Sequence, residues 1–170
     1  MSLGVFIGGW SVARFGLIRT MVVGAFMSPV SNLIFAWLAT QGHDLTALFV
    51  AIGVDNLATG YAGTALIAYM SSLTSIGFTA TQYALFSSLY ALPGKLIASQ
   101  SGKIVEASAR AADAGGPLGA LKGLFHALPP ESLVVGAAKS GVTTAGLGAG
   151  YVTFFLYSTV IGVFATVLAF

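Results

Sequence analysis

Apolar residues run along this chain in long stretches, without the strict alternation of a half-buried strand or the polar faces of a soluble helix. Charges are absent between Arg19 and Asp44, between Asp55 and Lys95, and from Lys139 to Phe170. Each interval can hold the roughly 20 apolar residues of a helix that crosses a bilayer. The pattern predicts helices over about 17–40, 45–73, 80–101 and 147–170, with a partial one over 3–13. A secretory signal carries its positive charge before the apolar run. Here Arg14 and Arg19 follow it, so 3–13 reads as the tail end of a membrane helix whose beginning is missing.

Punctuation inside these stretches refines the picture. Pro29 lies near the middle of 17–40, where a missing N–H and a bulky ring should kink a helix. Gln41, Gly42, His43 and Asp44 form a polar turn. The span 45–73 would be about 44 Å long at 1.5 Å per residue, more than a hydrocarbon core of about 30 Å. It must tilt, protrude or bend, with Gly53, Gly60 and Gly63 as places to bend. Ala58, Ala62 and Ala65 form a small-residue stripe, which lets a neighbouring backbone approach. The break is expected around Gly77, and Thr79 with Gln82 has the spacing of a capping box. Pro93 and Gly94 interrupt the next span.

Residues 102–146 change character, with charges at Lys103, Glu106, Arg110, Asp113, Lys122, Glu131 and Lys139 among Gly and Pro. They read as an extramembrane connection. Leu118, Leu121, Leu124 and Phe125, beside Lys122 and His126, suggest one short helix lying on the membrane interface. The last span, with Phe154, Phe155, Val160, Ile161 and Phe164, reads as lipid-facing and structural.

Composition excludes several function classes. Only 7% of the residues are charged, against roughly 25% in globular proteins, so the chain cannot present a soluble surface. A net charge of +2 without a basic cluster implies no nucleic-acid partner. With no cysteine and two isolated histidines, His43 and His126, neither a metal site nor a cofactor is expected. Gly146, Gly148 and Gly150 lack the lysine of a phosphate loop, and Ser71 and Ser72 lack a histidine partner. These features argue against an enzyme.

Gly9, Arg14, Gly16 and Arg19 are spaced like the cytoplasmic loop signature of major facilitator transporters, with Ala13 where that signature carries an acid. The stretch from Asp55 to Glu106, DNLATGYAGTALIAYMSSL and then FTATQYALFSSLYALPGKLIASQSGKIVE, resembles helices ten and eleven of the AmpG-like muropeptide permeases. GYVTFFLYSTVIGVF is similar to that family's twelfth helix. The resemblance implies an all-α, polytopic membrane protein covering the end of helix eight through helix twelve of a twelve-helix fold, without its N-terminal half. It also implies a bacterial inner-membrane location, alternating access, a muropeptide-like solute and coupling to protons. In that fold helices ten and eleven line the central cavity. Family topology places Arg14 and Arg19 in the cytoplasm and 102–146 in the periplasm. The bases Lys103, Arg110, Lys122 and Lys139 outnumber the two arginines and favour the opposite orientation. The family topology is nevertheless the one expected, because the rule counts bases near helix ends and earlier helices normally set orientation.

The candidate substrate-binding or coupling residues are Asp55, Asn56, Tyr83, Ser87, Tyr90 and Lys95. A carboxylate within a span costs about 2.5–3.5 kcal/mol or more, which marks it for function unless it reaches interfacial water. Lys95 could bind an anionic group or snorkel outward. Tyr83, Ser87, Tyr90 and Gly94 share one helical face, suited to a sugar or peptide, or to hydrogen bonds between helices. Counting helical rise puts Asp55 and Lys95 within about 6 Å in depth, so an ion pair between them is expected. Two rivals stay open: a helical membrane scaffold or accessory subunit, and a transporter of the same fold for another solute.

Overall fold

The computed structural model describes residues 1–42, 44–74, 79–125 and 133–168. His43, Gly77, His126 and the side chains of Thr79 and Pro93, and with them the capping box, lie outside the described residues. The described chain is all-helical. Its elements are α1 (Ser2–Phe15), α2 (Leu17–Thr40), α3 (Leu45–Leu73), α4 (Thr79–Ala98), α5 (Ser101–Asp113), a 3₁₀ segment (Pro117–Phe125), α6 (Val134–Ser140) and α7 (Thr144–Leu168). Three of them, Leu17–Thr40, Leu45–Leu73 and Thr144–Val167, are long and apolar enough to cross a membrane. The 20-residue α4 is not among them, because Gln82, Ser87, Ser88 and Lys95 dilute its apolar content.

Local chemistry sets the joints. Gly16 alone separates α1 from α2, with φ at 86°, a left-handed value that glycine adopts without steric cost. Asp44 caps α3, its carboxylate accepting from the N–H groups of Thr46 at 2.8 Å and Ala47 at 3.2 Å. The connecting stretch expected to hold one short helix around Leu118–Phe125, where the 3₁₀ segment lies, also begins with a second, regular helix, α5. Val105, Ala109 and Ala112 are buried at i, i+4 and i+7, while Lys103, Glu106 and Arg110 stay outside. Its apolar stripe is built of small residues, which is why it is easily overlooked.

The helices pack in sequence across the molecule. Helix α3 lies against α1 and α2, α2 also lies against α7, and α7 carries α5 and the 3₁₀ segment. Small residues set the separations. Gly4 and Gly8 seat α1 on the backbone of Leu57 and Tyr61, and Gly60 returns the contact. A Cβ on Gly60 would lie 2.5 Å from the Met1 carbonyl oxygen. Between them, the hydroxyls of Ser11 and Tyr61 share a hydrogen bond of 2.8 Å.

The contact between α2 and α7 is organised around Pro29. A proline inside a helix leaves the carbonyl four residues earlier without its N–H donor, and here that carbonyl belongs to Ala25. The Thr166 hydroxyl of α7 lies between the Gly162 oxygen of its own helix, at 2.8 Å, and the Ala25 oxygen, at 3.2 Å, so it shares one hydrogen between them, and Gly162, one turn earlier, receives the proline ring. Thr159 adds a longer contact to the Pro29 oxygen at 3.4 Å. Helix α7 is therefore not only a lipid-facing strut. It buries Leu147, Ala149, Val152, Thr159 and Thr166 while exposing Tyr157, Val160, Phe164 and Val167. Interleaved Gly, Ala and Thr give it a packing face between its aromatic residues.

Candidate functional site

Two polar pairs at i, i+4 spacing face a common space: Ser28 and Asn32 on α2, Asp55 and Thr59 on α3. That spacing stacks each pair on one side of its helix. With Tyr90 of α4 they line a cavity of about 570 Å³. Gly24, Ala25, Ala58, Ala62 and Gly63 complete its wall; their small side chains leave the volume open. At Gly24 the two helices meet closely, since a Cβ there would lie 3.0 Å from the Ala62 Cα. The cavity therefore begins where a small-residue contact ends. It offers a carboxylate, an amide and hydroxyls within otherwise apolar walls, a set that hydrogen-bonds hydroxyls and amides and can hold a proton or a cationic group.

Asp55 and Tyr90 of the expected site meet in this cavity, and the other candidates do not line it. Asn56 spends its amide on its own helix, donating to the Ile52 oxygen at 2.9 Å. Tyr83 and Ser87 are half-buried elsewhere on α4, and Lys95 is exposed. The expected ion pair is absent: among the described residues the salt bridges are Arg110 to Glu106 at 3.7 Å and Lys122 to Asp113 at 2.7 Å. Helical rise fixes depth but not rotation about the axis, so two residues at one level can still point apart. In the first loop, Arg14 and Arg19 are both exposed and Gly9 is half-buried near Thr64. Ser28, Asn32 and Thr59 were not among the expected residues. Their signal is polar pairing at i, i+4 inside apolar spans.

The second concentration of polar chemistry lies at the start of α7. The Asp113 carboxylate accepts from Lys122 Nζ at 2.7 Å, from the Thr143 N–H at 2.7 Å and from the Thr143 hydroxyl at 2.6 Å. Thr143 Oγ1 in turn accepts from the Gly146 N–H at 2.9 Å. Hydrogen bonds from Lys122 and Thr143 hold the Asp113 carboxyl down at about 2, against an ordinary 3.8. One carboxylate thus ties the end of α5 to the 3₁₀ segment and to the first turn of α7, where the positive end of the helix dipole favours it.

Over 102 residues the chain is 34% identical to a putative transporter, AmpG 3, of Rickettsia prowazekii, a match covering 60% of this chain and 24% of the relative. Over 103 residues it is 32% identical to the putative transporter AmpG 4 of Rickettsia conorii, covering 61% and 25%. The chain is related to the putative AmpG transporters. It spans about a quarter of their length. An uncharacterized protein of Haemophilus influenzae is 35% identical over 107 residues, covering 59% of this chain and 25% of that protein. No protein-family model and no solved structure matches the chain. With AmpG-named relatives and three helices able to cross a bilayer, the chain is a multi-pass membrane protein.

Proposed function

We propose that this chain forms the C-terminal part of a proton-coupled major facilitator importer of the bacterial inner membrane, whose solutes are muropeptides. Its four long helices α2, α3, α4 and α7 would be helices nine to twelve, and α1 the end of helix eight. The observation that carries the reading is Asp55 beside hydrogen-bonding groups in a largely apolar cavity bounded by α2, α3 and α4. An intramembrane carboxylate beside hydrogen-bonding groups is a suitable proton acceptor, and alternating access would expose it to each side in turn. The names of the AmpG relatives support the transporter role. The half of the fold absent from this chain would close the cavity.

The test uses a complete transporter carrying this chain, with uptake of labelled anhydromuropeptide as the readout. Asp55→Asn is expected to lower uptake about tenfold or more and to flatten its dependence on pH. Unchanged uptake with an unchanged pH profile would remove Asp55 from the coupling step. Failure of the unsubstituted transporter to take up anhydromuropeptide would remove that solute. Vesicles holding only the 170 residues are expected not to transport; uptake by them would overturn the need for a second half.

A further inference from the structure

A second cleft lies away from the Asp55 cavity, between α5, α6 and the start of α7, with a volume of about 450 Å³. Glu106 of α5 and Lys139 of α6 both line it, and they are not paired with each other. Among the described residues Glu106 has one ionic contact, the 3.7 Å approach of Arg110, and its side chain is 49% exposed. Ser101 and Ser140 add hydroxyls, while Tyr151 and Phe154 belong to α7, which is long and apolar enough to cross a bilayer. The cleft therefore brings charged side chains of α5 and α6 beside aromatic ones of α7, whose lining residues Leu147 to Phe155 extend over about two turns, roughly 11 Å. Tyrosine at such a level is characteristic of the membrane–water interface.

From this arrangement we infer that the cleft binds a zwitterionic phospholipid with a primary ammonium, such as phosphatidylethanolamine. The ammonium would donate to Glu106, the phosphate would face Lys139 and the serine hydroxyls, and the first acyl carbons would lie on the α7 aromatics. Charge selects among lipids here. A purely anionic headgroup would meet the Glu106 carboxylate, and a choline headgroup has no N–H to donate. The volume falls within the about 300–1,000 Å³ of small-molecule sites. This inference depends on the chain's placement in a bilayer and not on transport.

Native mass spectrometry of the 170-residue chain, released from micelles holding equal amounts of phosphatidylethanolamine, phosphatidylcholine and phosphatidylglycerol, tests it. Phosphatidylethanolamine is expected to be retained about tenfold over each of the others, the effect of one charge-assisted hydrogen bond. Glu106→Gln should erase that preference, and Lys139→Met should lower retention of all three lipids. Gly102 lines the same cleft, and a Cβ added there meets nothing within 4 Å. Gly102→Leu therefore fills the cleft and suits the helix, so it should reduce phosphatidylethanolamine binding while helix content by circular dichroism is unchanged. Equal retention of the three lipids, a preference for phosphatidylglycerol, or binding indifferent to both Glu106→Gln and Gly102→Leu would overturn the assignment.

Discussion

The corner where α5 and the 3₁₀ segment meet α7 and the side of the molecule bordered by α4 are both built from apolar helices, yet they are held very differently. At the corner, Gly150 lies against the Val105 carbonyl and Ala109, Gly148 against the Phe125 ring, and Gly146 against the Asp113 carboxylate. Both carboxylate oxygens of Asp113 have a donor. Helix α4, by contrast, has α3 as its main neighbour and leaves Leu85, Leu89, Leu92 and Leu96 exposed. Its Gly94 meets nothing within 4 Å of an added Cβ. Apolar content is abundant on both sides, so it does not decide which helices lock together. In lipid, where neighbouring chains are as apolar as leucine, close backbone approach and satisfied polar groups do. A helix such as α4, with a stripe of bulky leucines along one exposed face, is suited to contact further helices or to move against its neighbours.

Gly150→Leu should break the contrast most strongly. A Cβ at this position lies 2.6 Å from the Val105 oxygen, and backbone cannot move aside as a side chain can. The expected cost is about 3 kcal/mol, read as lowered resistance to unfolding in a denaturing detergent titration, with single cysteines at Val105 or Ala109 becoming reactive first. Next is Asp113→Ala, expected to cost about 1–2 kcal/mol after allowance for partial exposure. Because folding depresses the Asp113 pKa, its stabilisation is fully present above the ordinary value of 3.8 and is lost as pH falls towards about 2. The same titration run from pH 5 down to about 2 should therefore show the parent converging on the Asp113→Ala variant; a constant gap would show that ionisation of Asp113 contributes nothing. Smaller again is Tyr61→Phe, which removes the hydroxyl bonded to Ser11 and should cost about 0.6 kcal/mol or somewhat more. Gly94→Leu closes the series, with no loss and a gain of up to about 1 kcal/mol from helix propensity. A loss there as large as that of Gly150→Leu would show that α4 is packed as tightly as the corner.

Much of the helical architecture was legible because charge lies near its limits: the uncharged stretch between Arg19 and Asp44 forms all but the first turn of α2, and Asp44 itself is the cap of α3. The helix α5 was hidden because its buried stripe is Val105, Ala109 and Ala112, residues whose small apolar area barely registers against three charges in the same turns. The start of α7 at Thr144 rather than near 147 depends on Thr143 and Asp113, thirty residues apart in sequence. The Thr143 hydroxyl accepting from the Gly146 N–H is a local helix-start pattern; the Asp113 contacts that reinforce it are not. At the candidate site, Asp55 stood out as a charge in an apolar span, and Tyr90 lay on a face with Tyr83 and Ser87, but only Tyr90 reaches the cavity. Which part of a helical face meets a neighbour depends on tertiary rotation, and the neutral Ser28, Asn32 and Thr59 carry too weak a signal to fix it.

The pairing of Thr166 with the Ala25 carbonyl has a consequence for how the chain is made. The two residues are 141 positions apart, so a ribosome adding about 5–20 residues per second needs on the order of ten seconds to bring the donor after the acceptor. Throughout that interval α2 would reside in or beside the insertion machinery with one backbone oxygen lacking its final partner, in surroundings where each such group costs several kcal/mol. Slowing elongation between α3 and α7 would prolong that period.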